Sequence, residues 1–156
     1  MLERVRTSSI PVLSQLYARR IIAPSVDNQA KPCFSARADL NDKISIWKGS
    51  IVALEHEAIV NAANSQLGPG GGVDGVIQDA GGSELIHDMR SLGGCNTGDA
   101  KLTKAYNDLL PIKYVIHTVG PIHYANSKDD NERLLKSCYH ESLKLAAKSS
   151  IKSIVV

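Results

Sequence analysis

Aromatic residues are scarce in this 156-residue chain, at 4%, with a single Trp and a single Phe. The 43% hydrophobic content is therefore mostly aliphatic, enough to bury one core at this length. Cysteine is equally sparse. Cys33, Cys95 and Cys138 are odd in number and far apart, which excludes a disulfide framework and the close Cys pairs of a zinc site. They read as reduced structural thiols of an intracellular protein. No apolar run reaches the length needed to cross a bilayer, so the chain reads as soluble, with no membrane partner. A basic body is also missing: residues 39–156 carry a net charge of −2, and the +4 of residues 1–38 supplies all of the positive excess. That balance argues against a nucleic-acid-binding domain.

The arm before the body carries Arg4, Arg6, Arg19 and Arg20, contains Ser8, Ser9 and Ser14, and has few acids, the composition of a mitochondrial transit peptide. Glu3, Pro11 and Pro24 count against it, and a flexible leader is the competing reading. Pro24, Ser25, Asp27, Asn28 and Pro32 mark residues 24–42 as a linker. The expected organisation is thus a basic leader and linker, 1–42, and a body, 43–156.

Within the body, Ile44-Ser45-Ile46-Trp47 alternates at period two and Ala58-Ile59-Val60 is a short apolar run; both predict strands. Val73, Val76, Ile77 and Ala80 predict a short helix that stops at Gly81-Gly82, and a second helix is expected from Ser83, burying Leu85, Ile86 and Met89. Strands are predicted at 101–105 and 114–119, separated by a turn at Asn107-Asp108 and Pro111. A long helix over about 129–149 should bury Leu134, Leu135, Cys138, Ser142, Leu145 and Ala146, and Ser153 to Val156 reads as a last strand. This alternation implies an α/β layered domain with helices covering a mixed sheet.

The densest chemistry lies in Asn61-Ala62-Ala63-Asn64 and the following Gly70-Gly71-Gly72-Val73-Asp74-Gly75. Adjacent glycines let backbone N–H groups approach an anion, and the helix behind them aims its unpaired amides at the same place. Asn61, Asn64 and Asp74 add hydrogen-bonding groups and a general base. Gly70-x-Gly72-x-x-Gly75 matches the dinucleotide fingerprint formally, but residues 62–69 separate it from its strand and the acid lies inside it. No Gly-Lys-Ser/Thr follows, which removes the Walker phosphate loop. Two bland readings compete: Asp74 as an ordinary acid of a first helical turn, and Asn61 as a satisfier of backbone at the strand end. His117 reads as a strand core residue, and His56, His87, His123 and His140 as surface or packing residues without ligand spacing.

Four motifs in order, the Asn-Ala-Ala-Asn run, Gly70 to Gly75, Gly93-Gly94-Cys95-Asn96-Thr97-Gly98-Asp99-Ala100-Lys101, and Tyr114-Val115-Ile116-His117-Thr118-Val119-Gly120-Pro121, resemble the macrodomain family. They are most similar to its MacroD-type branch of mono-ADP-ribosyl hydrolases. The resemblance covers about Lys43 to Val156 and implies a three-layer α/β/α macrodomain with a mixed central sheet. It implies binding of ADP-ribose, hydrolysis of mono-ADP-ribose from acidic side chains of proteins, and O-acyl-ADP-ribose deacylation. No metal and no cofactor are implied. The ligand-binding set it implies is Gly49, Ser50, Ile51, Ala62, Ala63, Asn64, Gly70, Gly71, Gly72, Val73, Asp74 and Gly75. Asn64 would bond the distal ribose, the glycines and Val73 would wrap the diphosphate, and Asp74 would orient or activate the attacking water. Asp74 and Asn64 form the catalytic pair, with assistance by the substrate's own diphosphate as the alternative mechanism.

Several positions depart from that pattern. Ser50 stands where the family usually has an aspartate that accepts from adenine, Pro69 replaces a glycine, and Gln78 and Asp79 replace a histidine and a basic residue. The family's second phosphate loop has no counterpart before Val156, so an incomplete cleft, exposed apolar surface and a poorly folded chain are expected. The alternatives to a hydrolase are a non-enzymatic ADP-ribose-binding module and an inactive truncated product. The expected location is cytoplasm or nucleus, with the mitochondrion as the alternative.

Overall fold

The computed structural model describes residues 3–23, 37–106 and 110–156. Cys33, residues 24–36 of the expected linker and the Asn107-Asp108 turn lie outside the described residues. The chain divides into two compact units, residues 6–49, and residues 50–156 together with 1–5.

A two-residue strand, β1 (Val5–Arg6), leads into a 3-10 turn at Thr7–Ser9. In the smaller unit, α1 (Leu13–Ala18) buries Leu16, and α2 (Ala38–Asn41) is a single turn at the end of the expected linker. The leader therefore carries local structure. The strand expected at Ile44 to Trp47 does not form: Ser45 makes one isolated bridge with Val12, and Ile44 and Ile46 remain exposed. Alternation specifies a strand only where a neighbour and an apolar face receive it. Here the Ile44 carbonyl accepts from the Leu13 N–H at the start of α1 instead.

In the larger unit, a 3-10 turn at Ile51–Ala53 and β2 (Leu54–Glu55) precede β3 (Ala58–Ala62), α3 (Gly72–Ser91), β4 (Ala100–Lys104), β5 (Tyr114–Thr118), α4 (Lys128–Lys148) and β6 (Ile154–Val155). Four of the five strands expected from the sequence, all but the one at 44–47, fall at these places. Four strands form one sheet in the order β4-β5-β3-β6, with β3 parallel to both β5 and β6 and β4 antiparallel to β5. Both faces are covered, which is why β3 opens on the apolar run Ala58-Ile59-Val60 and β5 on Tyr114-Val115-Ile116. Ile59, Ala63, Val115 and Val119 pack on one face against Ile77, Leu85 and Met89 of α3. Ala58, Val60 and Ile116 pack on the other against Ala146 of α4. The result is the expected three-layer α/β/α arrangement with a mixed sheet.

Both long helices depart in detail from their patterns. The segment 72–91 is two helical runs joined across a kink at Gly82, whose φ of 72° and ψ of −166° leave the helical region, so the first run breaks at Gly81-Gly82 and the second follows from there, as expected. Its buried stripe is Asp74, Ile77, Gln78, Gly81, Leu85 and Met89, while Val73 and Val76 are about half exposed and Ile86 is only partly buried. Buried polar side chains at Asp74 and Gln78 rotate the true inner face away from the one that the valines suggest. In α4, Ser127 caps the N-terminus by accepting from the Asp130 N–H at 3.1 Å, with Asp129 and Asp130 in the first turn and Lys148 in the last. The small side chains Cys138, Ser142 and Ala146 face the sheet, and Leu135, Tyr139 and Leu143 are half exposed.

Candidate functional site

β3 and β5 end side by side, with Ala62 opposite Thr118, and the loop from Ala63 to Gly71 leaves this carboxyl edge to enter α3. That is where open α/β sheets place ligands. Asn64 braces the loop from within: its Nδ2 donates to the carbonyls of Gly68 (3.1 Å) and Pro69 (3.3 Å), and its Oδ1 accepts from the Gly68 N–H at 3.1 Å. Gln78, buried in α3, donates to the same Gly68 carbonyl at 3.1 Å. These bonds hold Leu67 in the left-handed region at φ 53° while its side chain fills the core. Gln78 was legible only as a departure from a family pattern; in the fold it is a strut of the loop. Asp79 is exposed on the helix beside it.

Asp74 sits in the first turn of α3 and is buried. Asn61 Nδ2 donates to its Oδ1 at 2.5 Å, and its Oδ2 lies so near Gly70 that a Cβ there would stand 2.0 Å from it. Asn61 therefore does not serve the backbone at the strand end; its amide is committed to side chains, with His117 Nδ1 3.2 Å from the same nitrogen. His117 is a core residue, as its strand context predicts, and its Nε2 lies 2.9 Å from Thr103 Oγ1. Burial pushes the His117 ring down to about 4, opposed by the nearby Asp74 carboxylate, so the ring is neutral at physiological pH. His56 is likewise pushed down to about 4 by burial.

The second glycine-rich motif supports the first. The Cys95 N–H donates to the Ser65 carbonyl at 2.8 Å, and the Gly98 N–H to the Val119 carbonyl at 2.8 Å. Gly94 has φ 90°, and a Cβ on it would stand 2.9 Å from the Ser65 oxygen. Gly94→Ala is expected to destabilise the fold by about 1–3 kcal/mol through left-handed strain and this contact, lowering the thermal midpoint by several degrees. A melting curve matching the parent's would show that the two loops do not depend on one another. Burial raises the Cys95 thiol, and Cys138 Sγ donates to the Val119 carbonyl at 3.2 Å, so both act as packing groups.

An apolar cavity of about 340 Å³ opens beside the loop, lined among others by Ile51, Val60, Ala62, Val73, Thr118, Leu135 and Tyr139. It gathers Ile51, Ala62 and Val73 of the expected ligand set, with Ser50 entering the adjoining 3-10 turn. Gly71 and Gly72 are exposed with open space above them, and Gly75 packs on the Gly70 carbonyl. Ala63 is not in this group, since it is buried against α3. Gly49 belongs to the smaller unit, where the Trp47 ring leaves no room for a side chain. A larger cavity of about 740 Å³, between Ser83 and Arg90 of α3 and Tyr106, contains none of the loop residues. The smaller one is the better candidate because it adjoins the glycines and the buried acid. Among the described residues no group of three or more His, Cys, Asp or Glu side chains is placed to hold a metal ion, and no helix is long and apolar enough to cross a membrane.

A glycine loop feeding a helix N-terminus lies at the carboxyl edge of the covered mixed sheet of this α/β domain, the arrangement that leaves backbone N–H groups open to an anion. Residues 60–156 match the Macro domain family model, and the chain belongs to that family. It is 47% identical over 130 residues to the ADP-ribose glycohydrolase MACROD2 of Xenopus laevis, covering 83% of this chain and 31% of that protein. The chain thus spans about a third of that relative's length. Its fold is similar to the macro domain of ganglioside induced differentiation associated protein 2, with a TM-score of 0.80 and 32% identity over 99% of this chain and 69% of the other. It is also similar to a Trypanosoma brucei macrodomain solved in complex with ADP-ribose, with a TM-score of 0.73 and 31% identity over 99% and 54%.

Proposed function

We propose that this chain binds ADP-ribose over the loop from Asn64 to Gly75 and hydrolyses mono-ADP-ribose from acidic side chains of proteins, and O-acyl-ADP-ribose by the same chemistry. The observation that carries the proposal is the Asp74 carboxylate, fixed by Asn61 under Gly70 at the N-terminus of α3 and next to the apolar cavity. The diphosphate would lie on the exposed N–H groups of Gly71 to Val73, favoured by the helix dipole, and the adenine and its ribose in the cavity beyond Val73 and Ile51. Asp74 would then orient and deprotonate the water that attacks at the distal ribose. Asn64 would serve the distal ribose, with its loop bonds setting where that ribose can sit. The glycohydrolase name of the Xenopus relative supports this reading.

A second reading, ADP-ribose binding without turnover, draws on the deep burial of Asp74, which is 4% exposed. Two measurements on the full chain separate them: calorimetric binding of ADP-ribose, and release of ADP-ribose from a protein mono-ADP-ribosylated on glutamate. Binding with release supports the hydrolase, binding without release the module, and neither result would remove both.

Ser50 offers a further check. It precedes the 3-10 turn, its carbonyl accepts from the Ala53 N–H at 2.9 Å, and its side chain makes no capping bond. Ser50→Asp should tighten ADP-ribose binding, because hydrogen bonds to charged groups contribute about 1.5–3 kcal/mol when sheltered. At this partly exposed position a Kd lower by about threefold to tenfold is expected. Equal dissociation constants would mean that adenine does not reach residue 50.

A further inference from the structure

From the four buried side chains that run across the α3 face of the sheet, we infer that His117, backed by Thr103, is a positioning residue for the Asp74 carboxylate and acts through the side-chain amide of Asn61. The inference rests on the hydrolase reading for its effect on turnover. The strands supply the alignment. Asn61 on β3 is the register partner of His117 on β5, and Thr103 on β4 pairs with Val115, two residues from His117 on the same face. All four side chains are more than nine-tenths buried.

Hydrogen-bond polarity orders the chain from the acid outward. An ionised carboxylate only accepts, so Asn61 must present its nitrogen to Asp74, which it does at 2.5 Å. The second proton of that nitrogen points to His117 Nδ1 at 3.2 Å, which must therefore be the accepting nitrogen. A neutral ring then carries its proton on Nε2 and donates to Thr103 Oγ1 at 2.9 Å. The Asn61 carbonyl oxygen has no partner among the described residues, so the amide is held by its nitrogen alone. Without His117 Nδ1, one of the two acceptors that fix this orientation is gone. The amide is then fixed by Asp74 alone, its second proton is left buried without an acceptor, and its plane rocks, so that it aims the carboxylate less sharply.

None of Asn61, His117 and Thr103 lines the cavity, so loss of the chain should affect the chemical step and spare ligand binding. Thr103→Val, which keeps shape, and His117→Leu are expected to lower kcat by about tenfold to hundredfold with the Kd for ADP-ribose within about twofold. His117→Asn, which restores an acceptor near the Nδ1 position, should recover much of the loss. A scaffold role would instead weaken Kd and kcat together and give no recovery with Asn; that result, or unchanged kcat in all three variants, overturns the inference. Thr103→Val keeps the test decisive if His117→Leu does not fold. Side-chain ¹⁵N spectra of the wild-type chain judge the wiring independently of turnover. A His117 ring protonated only at Nε2, with the proton signal altered in Thr103→Val, supports the chain of bonds even if the hydrolase reading fails, and a proton on Nδ1 overturns it.

Discussion

Asp74→Ala is expected to lower the release of ADP-ribose from a mono-ADP-ribosylated protein by about a hundredfold or more, the range assigned to a positioned acid–base group. The Kd for ADP-ribose should stay within about threefold, because the groups assigned to diphosphate binding are backbone N–H groups of Gly71 to Val73 and the α3 N-terminus, which the change leaves in place. Stability must be measured beside activity. Truncation leaves the Asn61 Nδ2 proton pointing at nothing, and an unsatisfied buried donor costs about 1–3 kcal/mol. A thermal midpoint lower by several degrees with ligand binding retained is therefore part of the expected result. Turnover that survives unchanged in a folded Asp74→Ala protein would remove Asp74 from the chemistry and leave the substrate's diphosphate as the base.

Which of these features could be read from the sequence follows from how local each one is. β3, β5 and α4 were legible because an apolar run or a helical stripe bounded by turn residues states itself within one segment. The inner face of α3 was not, since Val73 and Val76 supply an apolar spacing while the residues that turn inward include Asp74 and Gln78. Periodicity counts a polar side chain as surface, and at a site it is often buried because it has partners. Ile44 to Trp47 failed for the converse reason: the pattern was present but no sheet received it. Gly70 and Asp74 are four residues apart, so their proximity is implied once the loop enters a helix. The contact from Asn61 to His117 spans 56 residues and that from Thr103 to His117 spans 14, and both depend on strand register. The available signal was Asn61 and His117, polar residues directly after the apolar runs of β3 and β5; Thr103, between Leu102 and Lys104 in a mixed strand, gave none.

The close approach of Gly70 to Asp74 gives the most severe single change expected in the loop. A methyl group on Gly70 would stand 2.0 Å from Asp74 Oδ2 and 3.0 Å from its Cγ, and Asp74 cannot swing aside without leaving Asn61. Gly70→Ala must therefore either pull the carboxylate off its donor or lift the loop. Turnover is expected to fall by about a hundredfold, as for loss of the acid itself, and overpacking of this kind destabilises by about 1–3 kcal/mol. Unlike Asp74→Ala, it should also weaken ADP-ribose binding, since a lifted loop moves the N–H groups that face the diphosphate. Gly71→Ala is the control, because a Cβ there meets nothing within 4 Å. The double variant Gly70→Ala/Asp74→Ala decides the cause. With the carboxylate gone the methyl group has room, so binding should return toward that of Asp74→Ala alone, a non-additivity that only a direct contact produces. If the two changes weaken binding additively, Gly70 acts on the ligand itself and its contact with Asp74 is incidental.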